Sequence, residues 1–147
     1  GSSWTEVANL NSGRYALNSV GTNTDALVFG GSPEPAGVAI TELWNGSAWT
    51  EVADLNTARL QPAGAGTSTS QAIAFGGLGG SSYKAITEDW NGSAWTEVGD
   101  LNTARFAHGS AGSYTAALAY GGSIPGGNTQ TTEEWSGSSS LTKVLTD

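Results

Sequence analysis

The sequence Trp-Thr-Glu-Val occurs three times in this chain, beginning at Trp4, Trp49 and Trp95, and Leu-Thr-Lys-Val begins at the next expected place, Leu141. The spacings are 45, 46 and 46 residues. A period of this length constrains the fold more than any single residue does. Each unit is too small to bury its own apolar face, so like units must stack and share a core.

The units align without strain. Asp-Leu-Asn-Thr-Ala-Arg at 54–59 returns whole at 100–105 and in part at 9–14, so that each Trp is followed ten residues later by Arg14, Arg59 or Arg105. A glycine pair then follows an aromatic: Phe29-Gly30-Gly31, Phe75-Gly76-Gly77 and Tyr120-Gly121-Gly122. Fourteen residues beyond the first glycine stands a second Trp, at Trp44, Trp90 and Trp135. Asn-Gly-Ser-Ala follows at 45–48 and 91–94, and Ser-Gly-Ser-Ser at 136–139.

Each unit reads as four short strands, here numbered from the first unit: Tyr15 to Val20, Ala26 to Phe29, Ala39 to Trp44, and Trp49 to Val52. Short or alternating apolar runs broken by Gly, Asn and Ser are the strand signal. No stretch carries a sustained helical period, and 22 glycines in 147 residues oppose helix. Asn45-Gly46 and Asn91-Gly92 suit a tight hairpin turn in which both central residues take positive φ. Four-stranded sheets repeated radially make a β-propeller, whose crowded innermost strands favour small residues such as those at 62–65.

These residues resemble the kelch motif: a glycine pair after an apolar-aromatic strand, a downstream aromatic, a Trp, and an Arg before the next unit. They are also similar to kelch-type repeats of uncharacterised environmental bacterial and phage-associated proteins. The resemblance runs from Trp4 to Val144, with Trp44 standing where tyrosine is usual and a short gap of five residues to Trp49. It implies a propeller, commonly of about six or seven blades, that serves as a binding platform.

Three units fall short of a ring, which needs about four blades or more. An open arc exposes an apolar blade face at each end, and two chains in twofold arrangement would bury both. The expectation is one all-β unit over 1–147, with repeats at approximately 4–48, 49–94 and 95–140, and a six-bladed homodimer. Strand four is present in four copies against three of the others, so either 4–7 or 141–144 is surplus. Trp4–Val7 is expected to complete a blade of the partner chain, leaving Leu141–Val144 displaced or at an edge, where Lys143 guards against further pairing. The rival arrangements keep the C-terminal copy in its own blade, or make the chain a fragment of a longer repeat protein.

A formal net charge of −8, with only five Lys and Arg, disfavours nucleic acid and anionic membrane as partners. No apolar run approaches the ~20 residues of a membrane-spanning helix. With no Cys there is no disulfide and no thiolate metal site, and the compartment stays undecided. No signal-peptide pattern is present, the absence of Met fits a processed or excised chain, and the near-identity of the repeats fits recent duplication or design.

Candidate chemistry is sparse, and the chain is read as non-enzymatic, without cofactor or metal. His108 is the only histidine and aligns with Leu17 and Pro62, so the repeat does not call for an imidazole there. A nucleophilic triad or a histidine metal site would have to use this one residue. The carboxylates Glu42, Glu51, Glu88, Glu97, Glu133 and Glu134 mostly recur at equivalent positions, as scaffold residues do. Arg14, Arg59 and Arg105 offer either an anion-binding ring or bidentate pairs with a repeat carboxylate such as Glu42 or Glu51, and pairing is preferred. Trp4, Trp44, Trp49, Trp90, Trp95 and Trp135 are read as packing between blades rather than as sugar-stacking faces. The two Asn-Gly-Ser triplets match a glycosylation acceptor pattern but are read as turns.

The loop between strands two and three keeps its length and varies in content, at 32–38, 78–84 and 123–129. Glu34, Tyr83, Lys84, Asn128 and Gln130 are the ligand-binding candidates on that face. The expected function is a structural or protein-interaction scaffold that closes into a ring by self-association. The alternatives are a carbohydrate-binding propeller and a designed or excised repeat fragment with no biological ligand.

Overall fold

The computed structural model describes residues 2–33 and 36–137, and it is all-β, with no helix among them. The first unit holds β1 (Asn18–Gly21), β2 (Ala26–Phe29), β3 (Thr41–Trp44) and β4 (Trp49–Glu51). The second holds β5 (Ala63–Ser68), β6 (Gln71–Phe75), the short pair β7 (Leu78–Gly79) and β8 (Ser82–Tyr83), then β9 (Thr87–Trp90) and β10 (Trp95–Glu97). The third holds β11 (Gly109–Gly112), β12 (Ala116–Tyr120), β13 (Ser123–Ile124), β14 (Gly127–Asn128) and β15 (Thr132–Ser136). The first two units form antiparallel four-stranded sheets, β1-β2-β3-β4 and β5-β6-β9-β10, and the third forms β11-β12-β15. Register repeats with the sequence: Trp49 lies opposite Trp44, and Trp95 opposite Trp90.

Two sequence expectations need correction. The first strands begin later than expected, at Asn18 rather than Tyr15, because the chain kinks just before them. Ala16, Gln61 and Ala107 sit at φ of 54°, 49° and 52°, a left-handed conformation uncommon for side chains with a Cβ. Nor is the Asn-Gly hairpin a two-residue turn. Only Gly46 and Gly92 take positive φ. Asn45 Oδ1 instead accepts the backbone N–H groups of Ser47 (3.0 Å) and Ala48 (2.9 Å), organising a four-residue loop that Asn91 repeats.

The first strands of successive sheets lie side by side: Asn18 Nδ2 donates to Pro62 O and Ser110 Oγ to Gly64 O. Small residues are required there. A Cβ on Gly64 would lie 2.5 Å from the ring of Phe29. The repeated glycine pairs have a different cause, since each member sits at positive φ and a Cβ on the second would press on a backbone carbonyl of the loop entering strand one.

Two cores lie between successive sheets. The first gathers Val20, Leu27, Phe29 and Leu55 against Ala72, Ala74, Trp90 and Trp95. The second gathers Ala63, Ala65, Ile73 and Phe75 against Ala117 and Ala119. The Trp rings do not share one environment. Trp44, Trp90 and Trp95 are buried and Trp49 and Trp135 half-buried, whereas Trp4 is fully exposed at 103%. The far face of the third sheet is also open: Leu118 and Tyr120 are 40% and 43% exposed, where their counterparts Leu27, Ile73, Phe29 and Phe75 are buried. Trp4–Val7 belongs to no strand, and Leu141–Val144 lies outside the described residues.

Candidate interaction surfaces

The loop entering each unit is clamped onto a glutamate in the middle of its sheet. Asn56 donates to Glu88 Oε2 through its backbone N–H (2.6 Å) and its side chain (2.8 Å), and Thr57 N–H reaches Oε1 (3.3 Å). Arg59 pairs with the same carboxylate at 3.2 Å and donates to the carbonyls of Ala74 and Ile86. Arg14–Glu42 and Arg105–Glu133 repeat the pair at 2.5 Å. The carboxylates used are thus those on strand three, while Glu51 on strand four is exposed. No arginine is left facing outward for an anion.

Electrostatics follow from this clamp. Burial alone would raise the Glu42 carboxyl, but donation from Asn11 and Arg14 outweighs it and holds the group below its usual range. Glu133 is lowered likewise by Asn102 and Arg105 against the pull of burial. Burial draws the Arg59 guanidinium below its ordinary value, with Glu88 acting in the opposite sense.

His108 is packed tilted against Phe75, with ring centroids 5.7 Å apart. Burial first, and the neighbouring Arg105 charge second, lower its pKa to about 4. Neither ring nitrogen has a hydrogen-bond partner, and the described residues contain no cluster of three His, Cys, Asp or Glu that would hold a metal. The imidazole is therefore a neutral packing group at pH 7. Between the unfolded value of 6.5 and the folded value of about 4, the unfolded chain binds more protons, so stability falls as pH drops through that window. The full shift corresponds to about 3 kcal/mol, and partial solvent screening reduces the expected loss to about 1–2 kcal/mol. Urea midpoints at pH 7.5 and 5 should separate in the native chain and converge in His108→Leu, which restores the residue type found at Leu17.

The entering loops and the variable loops share one face, joined by backbone bridges Tyr15–Ser32, Leu60–Leu78 and Phe106–Ser123. Units two and three build the variable loop as a small hairpin, β7–β8 and β13–β14. Central glycines at Gly80 and at Gly126-Gly127, all of positive φ, were the available signal for these turns. Tyr83 stacks edge-on to Phe106 at 5.2 Å, tying this loop to the next unit. Lys84 is half-buried, with its backbone N–H on Gly77 O and its carbonyl accepting from Arg105 N–H. Asn128 and Gln130 are exposed, and Glu34 lies outside the described residues.

The most distinctive surface is elsewhere, at the outer edge of the third sheet. Beyond β15 no fourth strand follows among the described residues. A cleft between the second and third sheets opens at that edge, lined by Phe75, Thr87, Leu101, Asn102, Ala119 and Trp135. One repeat earlier, the equivalent residues Phe29, Thr41, Leu55, Asn56, Ala74 and Trp90 surround Trp95. No family model and no curated protein matches this chain.

Proposed function

We propose that this chain is a non-enzymatic, kelch-like β-propeller half that pairs with a second copy into a six-bladed ring and serves as a structural or protein-interaction scaffold. The observation that carries the reading is the asymmetry between sheets. The faces buried between sheets one, two and three are continued on the third sheet by an exposed Leu118 and Tyr120, an apolar surface of the kind that proteins cover with a partner. A twofold pair presents the same two ends to one another and closes the array. The non-enzymatic part rests on the clamps: the buried carboxylates are occupied by arginine and loop amides, and the lone histidine is a packing group.

Size-exclusion chromatography with light scattering tests the reading. The expected mass at micromolar concentration is twice the 14.9 kDa of the chain. A stable particle of single-chain mass overturns it.

A further inference from the structure

We propose that Trp4–Val7 of a second copy supplies the fourth strand of the third sheet, with its indole seated in the cleft between sheets two and three. This rests on the self-assembly reading above and identifies the strand that closes the ring.

The seat is defined by its occupied counterpart. Trp95 packs edge-on to Phe29 at 5.2 Å and tilted to Trp90 at 5.4 Å, and its Nε1 donates to Thr41 Oγ1 at 3.1 Å. Its backbone carbonyl accepts from Asn56 Nδ2 at 2.9 Å. One repeat on, Phe75, Trp135, Thr87 and Asn102 present the same ring faces, hydroxyl and amide around an open cleft. The chain also carries a spare copy of the matching plug. Trp4–Val7 has the same four residues as the segments beginning at Trp49 and Trp95, belongs to no strand, and leaves Trp4 and Val7 103% and 63% exposed.

Topology makes the second copy the donor. After β4 completes the first sheet, the chain passes through Leu55 to Asn56, which clamps Glu88 of the second sheet. A strand four therefore belongs to the sheet before the one its asparagine clamps. Asn11 clamps Glu42 of the first sheet and donates to Trp49 O. The strand ahead of it, Trp4–Val7, thus belongs to a sheet preceding the first, and in a ring of two copies that sheet is the partner's third. The C-terminal copy at 141–144 competes for the position with Leu141, which has less volume than an indole and no N–H for Thr87.

The register follows that of β10 on β9, where Trp95, Thr96 and Glu97 face Trp90, Asp89 and Glu88, and Val98 N–H donates to Thr87 O. Trp4 then faces Trp135, Thr5 faces Glu134, Glu6 faces Glu133, and Val7 N–H donates to Thr132 O. The chain has no cysteine, and facing residues on paired strands lie at separations a disulfide spans.

Thr5→Cys and Glu134→Cys chains are therefore prepared separately, refolded together and oxidised. The expected product is a disulfide-linked heterodimer of one chain of each kind. Trp4→Ala, at a position exposed within the single chain, should raise the dimer dissociation constant by about 100-fold or more. If the dimer persists without that cross-link, and a Thr142→Cys, Glu134→Cys chain closes within itself instead, the C-terminal copy holds the seat: this inference fails and the six-bladed reading survives. A monomer by light scattering, with no cross-link, overturns both.

Discussion

Glu88→Gln should destabilise the protein by about 3–5 kcal/mol, enough to remove a large part of the ~5–15 kcal/mol that holds a typical domain folded. The substitution keeps volume and shape, so its effect is electrostatic. Arg59 and Glu88 are both fully buried, and removing the carboxylate charge leaves a guanidinium with no counter-ion in a dry setting. The new amide also turns its NH2 toward groups that themselves donate, either the backbone and side chain of Asn56 on one side or the Thr57 N–H and Arg59 on the other. The clamp opens where the chain crosses from the first sheet to the second, so loss should be cooperative rather than local.

Two comparisons make the expectation specific. Glu133→Gln should cost less, because that side chain retains 12% exposure at the sheet with no described fourth strand, where water can solvate a disturbed pair. Arg59→Met in the Glu88→Gln background should recover part of the loss, since it removes the uncompensated charge rather than adding a contact. Urea midpoints for the four chains check all of this. Equal losses in Glu88→Gln and Glu133→Gln would contradict the burial argument.

How far the fold was legible from the residues can be argued from the same positions. The strands were readable because Trp44, Trp49 and their copies recur with short apolar runs between turn residues. A period-2 or fully buried run needs no knowledge of its neighbours. Strand starts were less readable: the left-handed kink falls on alanine at Ala16 and Ala107 and on glutamine at Gln61, residues with no turn signature. The clamp was half legible. An arginine and several glutamates per unit announce pairing, but choosing Glu88 over Glu97 requires the sheet. Both sit on adjacent strands directly opposite one another, and only the one on strand three lies beneath the entering loop.

The indole seats show the same limit from the other side. Trp4, Trp49 and Trp95 stand in identical tetrapeptides, yet one is fully exposed, one half-buried and one buried. Local sequence specifies the shape of the plug. What covers it depends on which sheet stands before it in space, and for Trp4 the described residues of a single chain supply none.

Trp95→Ala should cost about 3–5 kcal/mol, the range for truncating a large buried aromatic side chain. The ring lies at the centre of the first inter-sheet core, between Phe29 of one sheet and Trp90 of the next. Those neighbours are held by backbone ladders on both sides and collapse poorly into the space. Truncation also leaves the buried Thr41 hydroxyl without its indole donor; Thr41→Val breaks the same bond from the other side, leaving the indole N–H unpaired, and should cost about 1 kcal/mol. Trp95→Leu should fall between the two, because leucine refills part of the cavity and restores no hydrogen bond. Its loss in urea unfolding measures how much leucine gives up against tryptophan in such a seat. If Trp95→Leu were as stable as the parent chain, the indole would hold no advantage in such a seat, and the proposed seating of Trp4 on the third sheet would lose its energetic basis.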